Sequence, residues 1–458
     1  MDRQNHDKSS VSTSMEIYFR QSICAYILAV MIFQNFVGSV QGRQFYRGTD
    51  FRKMLEFKTP FVDKSLFIKE VLEDPTKTIL IARPHGFGKS TNLSMMKAFL
   101  MTNSTSRLLF QNSEISKDVE FCKREQNKNP VIHVSFGAVR GITFDECKKK
   151  LTMIMNNLYL EHMYLGTSDR LSEEEKRDFV ESYTGAASNF QALLLVTKLM
   201  KLMHKHYNQK VILLMEDYDA LILSAQLYHF NEEMMTFTKG VMENIFKDDS
   251  LRKGVIAGIF TERENMFMGF KNLAIYTVFH QKYAEYFGFT AVEVLNLKID
   301  YNIKSPNAIP AMKDYYEGYK IGNSILMNPW SVVHFFMYGA RLGNYWMKDL
   351  GGCALLNGTV KDGVMTQIMA DMIFSGVEIL MEQDLLTLNV RSPHDIYWIY
   401  LLQFGFFTVD HQEKTDDGKI LCQLKLANKE IRSTIQESLN LHLKQKPAEL
   451  GGTVEPPV

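Results

Sequence analysis

The sequence predicts an α/β protein in which helices flank a parallel β-sheet. Three short apolar runs are interpreted as buried strands, and they lie at residues 78–82, 211–215 and 255–260. Continuous runs of Ile, Leu, Val and Met are typical of parallel strands that are covered on both faces. Segments with apolar residues at helical spacing lie between the runs. Strands that alternate with helices in this way favour a parallel sheet with crossover helices.

The first run leads into a loop, residues 83–88, and then into a predicted helix that begins at Lys89. Apolar residues at helical spacing define this helix, namely Leu93, Met96 and Leu100. A loop that joins a strand to a helix N-terminus gathers several backbone N–H groups around one point. The helix dipole adds positive potential there, so this point is expected to attract phosphate.

The loop carries an imperfect form of the phosphate-binding pattern GxxxxGK[ST]. Gly88, Lys89 and Ser90 match the pattern, whereas Arg83 stands where the first glycine is expected. We predict that Lys89 contacts the β- and γ-phosphates and that the Ser90 hydroxyl ligates Mg²⁺. The predicted nucleotide-binding residues are Arg83, Gly86, Gly88, Lys89, Ser90 and Thr91. The expected architecture is therefore a P-loop NTPase sheet.

Two acidic residues follow the second apolar run, at Glu216 and Asp217. A carboxylate at the carboxyl end of a parallel strand can reach a Mg²⁺ ion or its water beside the phosphates. We therefore expect carboxylate chemistry beside the phosphates at Glu216 and Asp217. A further acid, Asp219, follows two residues later.

Other local signals predict the remaining elements. Residues 131–136 alternate as a strand, and Thr143 with Glu146 forms a capping box that opens a helix. Ser172 with Glu175 starts a charged segment, and Ser188 with Gln191 starts a helix that runs to about Tyr207. Asp417-Gly418 is a β-hairpin signal, and the segment 446–458 is expected to be a loose tail.

Residues 59–100 and several later landmarks resemble the AAA-ATPase-like family. Its FVDKT-like element, its RPRRFGKS-type loop and its acidic strand end correspond to FVDKS at 61–65, RPHGFGKS at 83–90 and VILLMEDYDALI at 211–222. YYEGYKIGN at 315–323 and NPWS at 328–331 also follow the family pattern. The resemblance implies a P-loop domain over 45–300 and a mainly helical part with a β-hairpin over 301–445.

The resemblance also implies ATP as the ligand, with Mg²⁺ as its cofactor. The family commonly opens its loop with Arg-Pro, which accounts for Arg83. Its Asp-Glu pair is inverted here as Glu216-Asp217. By position in that pair, the resemblance implies that Glu216 binds the metal and that Asp217 activates the attacking water. Thr261 stands where many relatives have arginine. We therefore expect slow or conditional ATP hydrolysis. The alternative is a secreted interaction protein that keeps the fold without turnover.

Many microbial relatives carry a restriction-endonuclease-like domain after this region, and the stretch after Arg432 is too short for one. The formal net charge is zero, from 52 basic and 52 acidic residues. A broad electrostatic contact with nucleic acid is not supported by this balance, and no nucleic-acid partner is expected.

The N-terminal segment 1–42 has the layout of a secretory signal peptide. Eleven uncharged residues, 23–33, follow Arg20, and Val40 and Gly42 suit a cleavage site. A signal anchor is the main alternative, which would give membrane contact, and a buried N-terminal helix is the third. Secretion would let Cys122, Cys147, Cys353 and Cys422 oxidise, although their spacing fits buried free thiols equally well.

Overall fold

The computed structural model describes most of the chain. The described residues are 37–40, 43–46, 48–102, 104–183, 194–228, 230–261, 270–301, 303–349, 376–381 and 395–445. The predicted signal segment falls almost entirely outside these ranges, as do Cys24, Cys353 and the predicted tail. Within them, no helix is both long and apolar enough to cross a membrane.

A five-stranded, all-parallel sheet forms the centre of the fold, as the sequence predicts. Its strands are β3 (Thr78–Ala82), β4 (Val131–Ser135), β5 (Val211–Glu216), β6 (Leu251–Gly258) and β7 (Leu273–Tyr276). They lie in the order β4-β5-β6-β3-β7. The strand β6 thus separates β3 from β5, and each of them pairs with it in parallel. The local signals of the sequence did not mark the segment of β7 as a strand.

Both faces of the sheet are buried, because alternate residues of each strand enter two different cores. On one face Ile79, Ile81 and Val255 pack in one apolar cluster; on the other, Leu80 and Ile256 pack in a second. This arrangement explains why the strands appear in the sequence as continuous apolar runs rather than as alternating ones.

Helices cover the sheet between the strands. They are α1 (Phe51–Glu56), α2 (Leu66–Glu73), α3 (Lys89–Leu100), α4 (Val119–Glu125), α5 (Phe144–Glu161), α6 (Glu173–Tyr183), α7 (Leu194–Tyr207), α8 (Ala220–Leu227) and α9 (Asn231–Lys247). The Thr143 hydroxyl accepts from the Glu146 amide at the start of α5, as predicted. The helix expected from Ser188 is described from Leu194 onward, so its predicted start lies outside the described residues.

The C-terminal part combines helices with antiparallel strands. Its helices are α10 (Ala291–Asp300), α11 (Ala308–Tyr316), α12 (Pro329–Met337), α13 (Tyr345–Asp349), α14 (Asp395–Phe404) and α15 (Lys429–Gln445). Its strands are β8 (Glu317–Ile321), β9 (Ser324–Met327), β10 (Val377–Met381), β11 (Phe407–Lys414) and β12 (Ile420–Leu426). A separate N-terminal pair, β1 (Val37–Val40) and β2 (Arg43–Tyr46), precedes α1.

The predicted hairpin at Asp417-Gly418 is present between β11 and β12, where Gly418 has a φ of 81°. Strand β10 adds to it, so the hairpin belongs to a three-stranded sheet with the order β10-β12-β11. Strands β8 and β9 form a second antiparallel pair. The C-terminal part is thus mainly helical with a β-hairpin, as expected, and its described residues form two antiparallel sheets.

Candidate functional site

The loop between β3 and α3 turns sharply at two glycines. Gly86 has a φ of 81° and Gly88 a φ of 79°, a left-handed conformation that glycine adopts without a steric penalty. Gly88 is the N-cap of α3, and a Cβ atom placed there would meet no atom within 4 Å. The turn therefore brings the loop backbone to the N-terminus of α3 beside open space.

Lys89 is the first residue of α3, and its side chain folds back over the loop. Its Nζ donates to the carbonyl oxygens of Arg83 at 2.8 Å and Pro84 at 2.9 Å. Burial lowers the pKa of Lys89 to about 8, although the nearby carboxylates favour its charged form. The ammonium group is thus held at the loop by two acceptors that a stronger anionic acceptor can replace.

Arg83 lies beneath the loop, fully buried. Its Nη1 donates to the carbonyl oxygens of Ala82 at 2.9 Å and Tyr276 at 3.0 Å, and the guanidinium lies over the ring of Phe287. Burial lowers its pKa to about 9. Arg83 does not line the cavity that the other loop residues line, so this geometry favours a supporting role over contact with a ligand.

Ser90 and Thr91 occupy the first turn of α3 and are partly exposed. Both line the same cavity as Gly86, Gly88 and Lys89. Apart from Arg83, the structure therefore brings together the residues that the sequence predicts to bind the nucleotide.

Glu216 ends β5, and its carboxylate contacts the neighbouring strand β4. The distance between His133 Nε2 and Glu216 Oε1 is 2.6 Å. The parallel register places Ser135 opposite Glu216, so side chains at the end of β4 lie beside the acids. Sequence analysis did not select His133 or Ser135, because their role depends on which strand lies next to β5.

Asp217 follows in a left-handed conformation, with a φ of 51°. The Ser135 hydroxyl donates to its Oδ2 at 3.2 Å. A Cβ atom on Gly137 would lie 2.7 Å from the same oxygen, so only glycine allows this close approach. Removal from water, together with the charges of Glu216 and Asp219, raises the pKa of Asp217 to about 6.

Asp219 has a different environment from the two acids before it. Its Oδ2 accepts from the backbone N–H groups of Ile259 at 2.7 Å and Phe260 at 3.0 Å. Burial raises its pKa, and these hydrogen bonds oppose that increase. Asp219 therefore fixes the segment that follows β6 rather than facing a ligand.

The end of β6 joins the two halves of the site. The Arg83 amide donates to the Gly258 carbonyl oxygen at 3.1 Å, and the Asp217 amide donates to the Ala257 carbonyl oxygen at 2.9 Å. The loop after β3 and the acidic loop after β5 are thus fixed to adjacent residues of one strand. This strand end holds Lys89 and the Glu216-Asp217 pair on one edge of the sheet.

The two loops line a common cavity of about 870 Å³. Lys89 and Ser90 lie on its wall, as do Glu216 and Asp217. The volume falls in the range of about 300–1,000 Å³ that is usual for small-molecule sites. A cavity with a cation, helix N–H groups and carboxylates at one end can bind a phosphorylated ligand together with a divalent cation.

The donor set fits Mg²⁺ bound through phosphate. Within the described part of the chain, no group of three or more His, Cys, Asp or Glu side chains is arranged to hold a metal alone. Mg²⁺ typically takes one or two protein oxygens and completes its shell with phosphate oxygens and water. Ser90, at the start of α3, and Glu216, at the end of β5, both line the cavity and would supply such oxygens.

Thr261, which replaces the expected arginine, is buried and lies next to Gln403 of α14, with 3.5 Å between its hydroxyl and the Gln403 amide nitrogen. This position therefore connects β6 to the C-terminal part. Arg263, a candidate substitute, lies outside the described residues.

Comparison with known proteins gives a family for this region. Residues 46–264 match the sequence model of a family described as "Predicted AAA-ATPase", the AAA-ATPase-like family. The region 46–264, which contains the loop and the acids of the site, thus belongs to the AAA-ATPase-like family. No curated protein matches the chain.

Proposed function

We propose that this AAA-ATPase-like chain binds ATP together with Mg²⁺ in the cavity at the carboxyl edge of its central sheet. The observation that carries the proposal is the convergence of Lys89 and the Glu216-Asp217 pair on one cavity, with both loops fixed to the end of β6. A cationic loop after β3 and an acidic strand end at β5, on either side of β6, would suit the two ends of a metal-bound phosphate group.

Each residue has a distinct proposed role. The loop N–H groups and Lys89 would bind the phosphates, and Lys89 would exchange its two carbonyl acceptors for phosphate oxygens. Ser90 and Glu216 would hold the metal. Bound Mg²⁺ would bridge the phosphates and offset their negative charge.

We propose that hydrolysis is slow, below the ~1–100 s⁻¹ that is usual for kinases. Asp217 is one methylene shorter than the glutamate that the family has at this position. Its carboxylate is also held by the Ser135 hydroxyl and packed against Gly137. A base that must contact a water beside the γ-phosphate is sensitive to shifts of this size.

Calorimetric titration with ATP and Mg²⁺ tests the binding proposal. Lys89→Ala should weaken ATP binding at least about 100-fold, because charge-assisted hydrogen bonds contribute about 1.5–3 kcal/mol each. Lys123→Ala is the matched control, since this exposed lysine pairs with the exposed Glu120 and does not line the cavity. Equal affinities of the Lys89 variant and the parent would overturn the assignment.

The second candidate function is nucleotide binding without turnover, in a protein that acts through interactions. The position of Asp217 and the replacement of the expected arginine by Thr261 favour it. The two functions differ in one measurement: phosphate release by the purified protein under saturating ATP and Mg²⁺. Release that is abolished by Lys89→Ala supports the ATPase, and its absence in the parent supports the binding protein.

We further propose that the chain enters the secretory pathway. The support is the uncharged segment 23–33, with Arg20 before it and small residues after it. N-terminal sequencing of protein from a eukaryotic secretory host tests this, with cleavage expected near Gly42. An intact N-terminus on a cytosolic product would refute it, and an intact N-terminus on a membrane-bound product would support the signal anchor.

Secretion would expose the cysteines to an oxidising compartment, and their burial limits how readily they would react there. Cys122, Cys147 and Cys422 are free thiols in the structure, and the last two are buried. Burial raises the pKa of Cys147 to about 11, which makes its reactive thiolate scarce. Among the described residues, the structure pairs none of these three cysteines with another.

A further inference from the structure

We infer that His133 of β4 is a positioning residue for the metal ligand Glu216. By holding one oxygen of this carboxylate, His133 limits Glu216 to a single contact with the cation and so favours Mg²⁺ over Ca²⁺. This inference rests on the proposed binding of ATP with a divalent cation. It goes further because it assigns the choice of cation to a strand that carries neither the phosphate-binding loop nor the acids.

His133 lies between apolar residues in the middle of β4. Ile132 and Val134 are buried in the apolar cluster on one face of the sheet, and Val131 is buried in the cluster on the other face, which includes residues of α3. His133 shares the face of Val131, because strand side chains alternate. Its side chain is 18% exposed and lines the cavity. A largely buried imidazole needs a polar partner, since burial of a polar group without one is costly.

The partner is Glu216, at the end of the adjacent strand. The parallel register sets His133 opposite Leu214, so its ring reaches Glu216 two residues further along the same face of β5. The distance of 2.6 Å between Nε2 and Oε1 is short enough for a charge-assisted hydrogen bond. A carboxylate that binds a metal is ionised and can only accept, so His133 donates from Nε2 whether its ring is neutral or charged.

The two acids have separate partners on β4. His133 contacts Glu216, whereas the Ser135 hydroxyl donates to Asp217. The contact with His133 therefore concerns the residue that would bind the metal and not the residue that would act on water. Removal of the imidazole should affect Glu216 and leave the contact between Ser135 and Asp217 in place.

The number of carboxylate oxygens that reach a cation distinguishes Mg²⁺ from Ca²⁺. Mg²⁺ requires a nearly octahedral shell and takes few protein oxygens, whereas Ca²⁺ takes 6–8 oxygens and accepts a carboxylate through both of its oxygens. With Oε1 engaged by His133, Glu216 keeps its second oxygen for the cation. Partners that orient a metal ligand in this way typically contribute about 10–100-fold to metal affinity. His133 thus favours the cation that needs only one oxygen from Glu216.

Calorimetric titration of the full chain with ATP tests this inference in three buffers, which contain Mg²⁺, Ca²⁺ or a chelator without metal. His133→Met and His133→Gln form a matched pair, because the two side chains have similar lengths and only glutamine has N–H donors. His133→Met should weaken ATP binding about tenfold in Mg²⁺ and leave binding in Ca²⁺ and in chelator nearly unchanged. His133→Gln should keep the parent's ratio of affinities in Mg²⁺ and Ca²⁺. His411→Met is the control, because His411 is exposed on β11 and does not line the cavity.

The chelator buffer separates a positioning role from a structural one. An equal loss in all three buffers, or an unchanged ratio of Mg²⁺ and Ca²⁺ affinities in His133→Met, would overturn the inference. A glutamine variant that behaves like the methionine variant would overturn the role of the N–H donor. If His133→Met misfolds, His133→Leu provides the same comparison. Failure of the proposed function looks different, because the parent would then bind ATP in none of the buffers and Lys89→Ala would change nothing.

Discussion

The ends of β3 and β5 carry the two halves of the site, and they are held in different ways. At the end of β3, Lys89 and Arg83 donate mainly to carbonyl oxygens of their own loop and strand. At the end of β5, Glu216 contacts His133, and Asp217 accepts a hydrogen bond from Ser135. Both partners belong to the neighbouring strand β4. The basic half is therefore a local structure, whereas the acidic half depends on strand order.

This difference separates a local part of the site from a part that depends on strand order. The strand, the two glycines in left-handed conformation and the helix start of the basic half all lie within 13 residues of sequence, from Thr78 to Ser90. The acidic half needs β4 to lie beside β5, because His133 and Ser135 of β4 contact the two acids. The inversion at Glu216-Asp217 occurs in the half that has this external support.

Substitution of the two loop glycines, Gly86 and Gly88, gives the largest expected difference in stability. The two variants form a matched pair, because both positions have a left-handed backbone. Gly86→Ala should destabilise the fold by about 3 kcal/mol, because the residue is left-handed and its Cβ would lie 2.8 Å from Asn328 Oδ1 and 3.1 Å from a Trp346 ring carbon. Gly88→Ala should cost only about 1 kcal/mol, since it has the same backbone penalty and open space around it.

Chemical denaturation of both variants measures the difference. Equal losses of unfolding free energy would mean that the contact between the loop and Asn328 is not rigid. That result would break the distinction between the loop's fixed side, at Gly86, and its open side, at Gly88.

The acids of the β5 loop form the next test. Asp219→Asn should destabilise the fold by about 2 kcal/mol, because two buried N–H groups lose a charged acceptor for a neutral one. Asp217→Asn should be close to neutral, since it removes a charge that Glu216 and Asp219 already disfavour. Thermal or chemical unfolding of both variants without nucleotide measures their free energies of unfolding. A larger loss of unfolding free energy in Asp217→Asn than in Asp219→Asn would reverse the roles assigned to the two acids.

Local patterns are sufficient to predict most of the central sheet. The apolar runs of β3, β5 and β6 reflect burial on both faces, and the loop after β3 combines glycine, lysine and a helix start within a few residues. The sequence pattern of the family also matches a contiguous region, residues 46–264. These features are local or carried by a contiguous motif, so a single sequence contains them.

The rest of the site depends on contacts between distant segments. His133 belongs to the site because β4 pairs with β5, and Trp330 belongs to it because α12 lies against Gly86, far away in the chain. Arg83 fits the family pattern for the loop, yet its guanidinium lies beneath it, because backbone direction rather than residue type decides where the side chain points. The spacing of residues along the sequence does not predict strand order, the packing of helices or the direction of a side chain.

The smallest expected effect concerns turnover, and it tests whether the inverted acids limit hydrolysis. The double change Glu216→Asp with Asp217→Glu restores the family order, and we expect about a fivefold increase in phosphate release, equivalent to about 1 kcal/mol. The gain is modest for two structural reasons. The shorter residue at 216 would lose its 2.6 Å contact with His133, and glutamate tolerates the left-handed conformation of position 217 less well than aspartate.

The single variants separate the two contributions. Asp217→Glu alone should account for the gain if the length of the base is limiting, and Glu216→Asp alone should lower the rate. ATP affinity, measured in parallel, should stay near that of the parent, because the basic half of the site is unchanged. If the restored pair releases phosphate no faster than the parent, the inversion is not the limiting defect.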